Sequence, residues 1–461
     1  MSAMRVTLIG HASLLVETAG GTVLTDPVFF DPFEGGAVTS CPEREVDPGK
    51  LPEADYLVVS HRHADHFDIP SLARLPRDCQ VLCPRDPVIL YALERLGFGR
   101  VTPVDPMRPL PAFDLQLFPT RSEEPTVREF GLVVADGSGT LWNQVDTVLS
   151  LATVQAAVAR FGAIDVHIAR YASQNFDFFE GRTAAFPYEE HQRNLETVLA
   201  VRPRVVVPGS AGFRFAAPHD WLNRHLFPVS TERFAADLAR LDPAVRPILM
   251  RPGDLLEIEG GEVRHRPGAS PFCRTVRHDT EAIRFDPTAP VPPLEDPNPD
   301  GYPEAEMERV IAGFLERLHG WAVERAHRRL TLPDRYRRAG ALYELEVVFP
   351  TGRRRWQLDF RAAPPRLDPD GTGEAHVVHR IAASALTGWI LRRRGYLYTR
   401  AYSRRFSTLY RVYGDEAGVE VRPVTLPDPA IHYLLTDAED AADAARRRID
   451  LEIEACHGAQ S

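Results

Sequence analysis

The chain has 461 residues with 44% hydrophobic and 26% charged content, globular proportions that suit two or three domains, and no apolar run approaches the roughly 20 residues that cross a bilayer. A formal charge of −10 excludes a general nucleic-acid binder, which needs a basic face to release counterions. Five cysteines (Cys41, Cys79, Cys83, Cys273 and Cys456) without CxxC spacing exclude a disulfide framework and a zinc ribbon.

The opening "MSAMRVTLIGHASLLVE" reads as a first strand and not as a signal peptide, so a cytoplasmic protein is expected. From Arg5 to about Glu259, short β-rich runs ("RVTLIG", "SLLVET", "TVLTD", "YLVVS", "LQLFP", "GLVVAD", "TLWNQV", "DVHIAR", "RVVVPG") are separated by helical stretches such as Pro87 to Leu96 and Tyr188 to Val201. Strands first and then strands alternating with helices predict an α/β sandwich with helices on its outer faces. The proline-dense stretch 265–302 predicts a linker after a first domain at 1–264. Beyond it, 303–461 reads as a smaller α+β domain. It has a helix from Pro303, a hairpin of "ALYELEVVFP" and "RRWQLDFRA", a helix over "EAHVVHRIAASALTGWILRRRG", a strand in "STLYRVYG" and a polar C-terminal helix over "DAEDAADAARRRIDLEIEA".

The chemistry concentrates in "VVSHRHADHFD". His61, His63, Asp65 and His66 follow an apolar strand, so they sit on the loop at its end, where alternating side chains converge above a sheet. His61 and His63 can share one ion, with Asp65 and His66 turned to a second. Imidazole with carboxylate and no thiolate suits Zn, Fe, Mn or Ni.

These residues, with "VTLIGHASLLVE", "LTDPVF" and the Asp of "LWNQVDT", resemble the metallo-β-lactamase superfamily over about Arg5 to Glu259. The resemblance implies a four-layer αββα sandwich with two metal ions at one edge, a ligand signature at His61, His63, Asp65 and His66, and a bridging aspartate at Asp146. It also implies that Asp65 and Asp146 take part in catalysis. His11 of "GHAS" and Asp26 of "TDP" fall near the site, as groups that orient ligands. Two expected histidines are missing. No histidine lies between Gln116 and Asp146, where "FPTRSEEPTVREFG" offers Glu123, Glu124 and Glu129 instead, and Glu124 is the favoured ligand. The late histidine is replaced by Gly209, Ser210 and Ala211, with His219 a candidate to compensate and His191 a weaker one.

The run "EEPTVREFGLVVADGSGTLWNQVDT" and the segment around "RVVVPGSAGFRF" are similar to the metallo-β-lactamase-like part of CMP-N-acetylneuraminate hydroxylases. That resemblance implies an oxygenase. Those hydroxylases carry a Rieske iron-sulfur domain with paired C-x-H and C-x-x-H motifs, and neither pairing occurs here, so electrons are expected from a separate ferredoxin or reductase. The clusters Arg353 to Arg355, Arg392 to Arg394 and Arg404 with Arg405 match an anionic substrate or carrier, or else close solvated turns and helix ends. The expectation is therefore a dinuclear enzyme with two metal ions, iron favoured and zinc or manganese also accepted, that hydroxylates or N-oxidises a small metabolite, anionic or neutral. The rival expectation is a metal-dependent hydrolase of a phosphoester, lactone or amide. The second domain is expected to close the pocket or to form a homodimer.

Overall fold

Alternating apolar residues dictate two facing sheets in the first part of the chain. The computed structural model describes residues 3–110, 115–181, 186–370, 375–416, 418–437 and 441–458. The chain divides into two units, one of Met1–Asn175, Phe186–Ala289 and Ile449–Ser461, the other of Phe176–Ala185 and Pro290–Arg448.

In the first unit an eight-stranded sheet is centred on Met4–Gly10, Ser13–Thr18, Gly21–Thr25 and Tyr56–Val58. A six-stranded sheet is centred on Phe130–Ala135, Thr140–Asn143, Val166–Arg170 and Val205–Gly209. Met4, Val6, Leu14 and Val16 of the first sheet meet Leu132, Leu141, Val166 and Ile168 of the second in one buried core. On the outer face of the first sheet, Leu15, Leu24 and Leu57 pack against Ile89 and Leu93 of the helix Pro87–Arg95 and against Ile449 and Ile453 of the last helix. On the outer face of the second, Val133 and Trp142 meet Val154 and Ala157, and Val206 meets Leu195, Val198 and Phe234. The layers are helix, sheet, sheet, helix, as the period-2 patterns require.

Strand ends at one edge carry the polar residues. His11 follows Met4–Gly10, Asp26 follows Gly21–Thr25, His61 lies just beyond Tyr56–Val58, and Asp146 lies just beyond Thr140–Asn143. Gly10 has φ 142°, and a side chain there would meet Arg44 Nη1 at 2.5 Å. That buried guanidinium donates to Ile9 O (2.9 Å) and Val28 O (2.6 Å), so it pins the two strand ends that lead to His11 and from Asp26.

The second unit is a five-stranded sheet around Leu342–Phe349, which pairs antiparallel with Gly352–Asp359 and parallel with Val377–Ala382. The helix Glu304–Arg325 covers it through Met307, Ile311, Phe314 and Leu318.

Three expectations change. The stretch 265–302 is not a plain linker, because Glu262–Arg266 and Cys273–Arg277 are strands that pair with Leu255–Glu259 and Glu43–Val46, and the first unit runs to Ala289. The expected helix over "EAHVVHRIAASALTGWILRRRG" is half strand, since Val377, Val378 and Ile381 are β-branched and pair with Tyr343, Glu344 and Val347. The helix there begins only at Ala383. The last helix returns its end, from Ile449, to the first unit. Glu374 and residues 438–440, part of the expected helices, fall outside the described residues.

His167, on Val166–Arg170, is fully buried beside Trp142 with neither ring nitrogen hydrogen-bonded. Burial pushes its pKa from 6.5 down to about 3. The unfolded chain therefore binds a proton that the folded chain refuses, and stability falls as pH drops below the ordinary imidazole value. With those values, the loss between about pH 7 and about pH 5 is about 2 kcal/mol. His167→Leu is expected to remove that component from urea-unfolding free energies measured across the range, and an unchanged pH slope contradicts this.

Candidate metal centre

Two sets of donor atoms converge at the strand-end edge. One is His11, Asp65 and His66, and the other is His61, His63 and Asp146, and within each set the donor atoms lie within 4.8 Å of one another. His11 Nε2 lies 3.1 Å from His66 Nε2 and 3.2 Å from Asp65 Oδ2. His61 Nε2 lies 2.9 Å from His63 Nδ1. Asp146 Oδ2 stands between the sets, 3.2 Å from His66 Nε2 and 3.9 Å from His61 Nε2.

Asp26 decides which nitrogens face inward. Its Oδ1 accepts from Ser60 N–H (2.7 Å), and its Oδ2 accepts from the Ser60 hydroxyl (2.6 Å) and from His66 Nδ1–H (2.9 Å). Because the Ser60 proton points to Asp26, Ser60 Oγ accepts from His61 Nδ1–H at 2.9 Å. Both rings therefore carry their proton on Nδ1 and present the Nε2 lone pair to the cluster, the tautomer a metal ion needs.

The backbone is strained where it delivers these groups. His11 (φ 50°), Asp26 (φ 41°) and Val145 (φ 55°) are all left-handed, which costs of order 1–3 kcal/mol each. Val145, being β-branched, is the sharpest of the three. Its turn is held by Asn143 Oδ1, which accepts from Val145 N–H (3.2 Å), and by Gln144 Nε2, which donates to Thr147 O (2.9 Å).

The field asks for positive charge. Burial keeps His61 neutral, well below the ordinary imidazole value, helped by His66 and His63. Burial opposes charge on His66 as well, but Asp146 and Asp65 outweigh it and raise its pKa well above the ordinary value, so without an ion a second proton occupies Nε2, and a bound cation would take that proton's place. Asp65 and Asp146 stay ionised against burial, chiefly through His66. Two ionised carboxylates and inward-facing imidazole lone pairs, brought within ion-binding reach, fit a pair of divalent cations. The side of His63 and Asp146 is open, with Asp146 30% exposed, whereas His11 and His66 are buried.

The other sequence candidates lie elsewhere. Glu124 belongs to neither donor set. Its Oε1 accepts from Thr126 N–H (2.8 Å) and the Thr126 hydroxyl, closing its own loop, and it lines a separate cavity of about 240 Å³ with Arg170 and Glu190. The structure thus places Glu124 outside both donor sets, and it places His11, expected only to orient ligands, within one of them. His219 is buried in the turn before Asp220–Leu222, and His191 faces Asp237 (3.0 Å) from its helix; neither belongs to a donor set. The arginine clusters are largely engaged within the second unit: Arg353 and Arg355 pair with Glu346, Arg354 with Glu308, and Arg405 with Glu180. Glu129, offered by the sequence beside Glu123 and Glu124 but not favoured, is buried at the head of Phe130–Ala135. Its carboxyl is pushed up to about 7 by burial, against the hydrogen bond from Ser122 and with the charge of Asp146 adding to the rise.

The two-sheet fold and the imidazole–carboxylate donor sets agree with what a family comparison shows for the start of the chain. Residues 5–116 match the beta-lactamase superfamily domain, so the chain carries a domain of that superfamily. Over 235 residues the chain is 32% identical to a Mycobacterium tuberculosis protein named as a Rieske 2Fe-2S iron-sulfur protein, a match covering 47% of this chain and 45% of that one. The chain thus spans about half the length of the curated relatives with which that similarity begins. Over 112 residues it is 35% identical to the Streptomyces venezuelae protein named 4-amino-L-phenylalanyl-(CmlP-peptidyl-carrier-protein) 3-hydroxylase, covering 22% of this chain and 20% of that one. Over 71 residues it is 45% identical to the UPF0173 metal-dependent hydrolase of Anaeromyxobacter dehalogenans, covering 15% of this chain and 23% of that one. Among the described residues no helix is long and apolar enough to cross a membrane.

Asp26→Asn keeps a residue that tolerates the left-handed backbone but removes the charge that orients Ser60 and His66. Chelator competition is expected to show metal affinity lowered about 10–100-fold, the range for losing such a partner. His11→Ala is expected to halve bound metal measured by atomic emission, while Glu124→Ala leaves it unchanged. Metal lost from Glu124→Ala and retained in His11→Ala contradicts the assignment.

Proposed function

We propose that the first unit is a di-iron oxygenase that hydroxylates or N-oxidises a small metabolite. The observation that carries this reading is the composition of the two donor sets: each has two imidazoles and one carboxylate, with no thiolate. Such a triad leaves coordination positions open and suits non-haem Fe(II). Iron ions held there supply activation of O2.

In roles, His61, His63 and Asp146 would hold one ion, and His11, Asp65 and His66 would hold the other. Asp146, whose Oδ2 stands between the sets, would hold the two ions' ligands close together. Asp26 and Ser60 keep the Nε2 atoms of His66 and His61 aimed inward. Glu129 holds or releases a proton at its carboxyl oxygens near neutral pH. In overall balance, one oxygen atom of O2 enters the substrate and the other leaves as water, which calls for two electrons and two protons. A separate ferredoxin or reductase supplies those electrons. The hydroxylase name of the Streptomyces relative and the Rieske name of the mycobacterial one support this reading.

The half-exposed side of Asp146 and the hydrolase name of the Anaeromyxobacter relative favour a second reading, a metal-dependent hydrolase of a phosphoester, lactone or amide.

The two separate experimentally. Protein loaded anaerobically with Fe(II) and supplied with reduced ferredoxin is expected to hold two irons per chain and consume O2, while the zinc-loaded protein does not. Full metal occupancy with no O2 uptake, together with turnover of nitrophenyl phosphate or lactone substrates, transfers the assignment to hydrolysis.

A further inference from the structure

We propose that the cavity beside His11 binds the apolar part of the substrate, an acyl or aryl group with an anionic end, inserted between the two sheets of the first unit. The inference rests on the reading above only in calling the ligand a substrate.

The cavity encloses about 960 Å³, within the size range of small-molecule sites, and His11 is part of its wall. Its floor is the open end of the inter-sheet core. Leu14, Ile168 and Val207 line it from buried positions, and Leu8 and Met250 belong to the same cluster but are only partly covered. Apolar side chains left partly exposed at a concave surface gain free energy when an apolar group covers them, about 25 cal/mol per Å². A purely polar metabolite gains nothing there.

Polar groups on the wall are few and placed at its edge. The loop Gly209–Gly212 packs on His11, since a side chain at Gly212 would lie 3.0 Å from His11 N. Within that loop Ser210 has φ 60° and is 6% exposed, and its hydroxyl has no protein hydrogen-bond partner. A strained residue holding an unpartnered hydroxyl at a cavity wall fits a ligand contact. Of the four lining arginines, Arg233 and Arg274 pair with Asp237 and Glu45, whereas Arg251 and Arg284 have no carboxylate partner among the described residues. Among the lining acids Asp254 is taken by His265 (2.9 Å) and by Gly268 N–H (2.8 Å), and Glu232 and Glu281 lie at exposed positions. Arg251 and Arg284 thus remain at the wall as cations that the anionic end of a ligand can pair with.

The test uses the full chain in its zinc-loaded form and isothermal titration with straight-chain carboxylates from butanoate to decanoate, so neither iron nor O2 is needed. The expected result is a Kd that falls about fourfold per added methylene until the cavity is filled. Met250→Trp and Leu8→Trp, both at partly covered positions and checked for native circular dichroism, are expected to abolish that length dependence. The Arg251→Gln, Arg284→Gln double variant is expected to weaken carboxylates about tenfold while leaving matched 1-alkanols unchanged. Affinity independent of chain length, or length dependence retained in both folded tryptophan variants, overturns the apolar site; alkylammonium ions preferred over carboxylates overturn the anionic end. Length dependence with no O2 uptake by the iron form keeps the cavity and removes the oxygenase reading.

Discussion

One carboxylate, Asp26, organises the centre. It accepts three hydrogen bonds, two from Ser60 and one from His66, and through the Ser60 hydroxyl it also sets the tautomer of His61. A single buried anion therefore aims one ring in each donor set. This works because Asp26 is itself fixed in a left-handed conformation at the end of Gly21–Thr25, with its own N–H bonded to Val58 O at 2.8 Å. The sandwich beneath supplies the rigidity: the strands carrying Asp26 and Ser60 are parallel neighbours, and Leu24 and Leu57 are paired in the sheet and buried on its outer face. Strain at His11, Asp26 and Val145 is sustained because packing and hydrogen bonds over-determine each turn.

What was legible in the sequence was local. His61, His63, Asp65 and His66 sit at a strand end with a spacing that only convergence explains, and the structure gathers all four with Asp146. The two-sheet architecture followed from period-2 apolar runs. Asp146 was legible through the family resemblance, but the place of His11 among the donors was not, because it depends on strands far apart in sequence. His11 comes from the first strand and meets His66 only because Met4–Gly10 and Tyr56–Val58 belong to one sheet. Glu124 looked suitable by position along the chain, but Thr126, two residues on, captures its carboxylate. A sequence pattern counts charges in a loop without saying which of them a neighbouring hydroxyl will hold. The misread helix at 374–395 has a similar cause, since an apolar run of β-branched residues is ambiguous until a sheet edge is present to pair with it.

The second unit illustrates the same limit. Its arginine clusters invite a ligand when read as sequence, yet several close internal ion pairs. Glu346, buried in the central strand, receives Arg353, Arg355 and Arg380. Arg400 and Arg405 hold Glu180, which the chain delivers in the short excursion Phe176–Ala185 from the first unit. A buried carboxylate needs such partners, because losing them leaves an uncompensated charge in a low-dielectric interior. These arginines serve the unit's own architecture.

The central claim is that two neighbouring sites are each built from two imidazoles and one carboxylate. Anomalous diffraction at the iron edge from iron-loaded crystals tests it most directly. The account predicts two peaks, each about 2 Å from its donors, one bounded by His61, His63 and Asp146 and the other by His11, Asp65 and His66. A single peak, or a peak bounded by Glu124 in place of these residues, would contradict it.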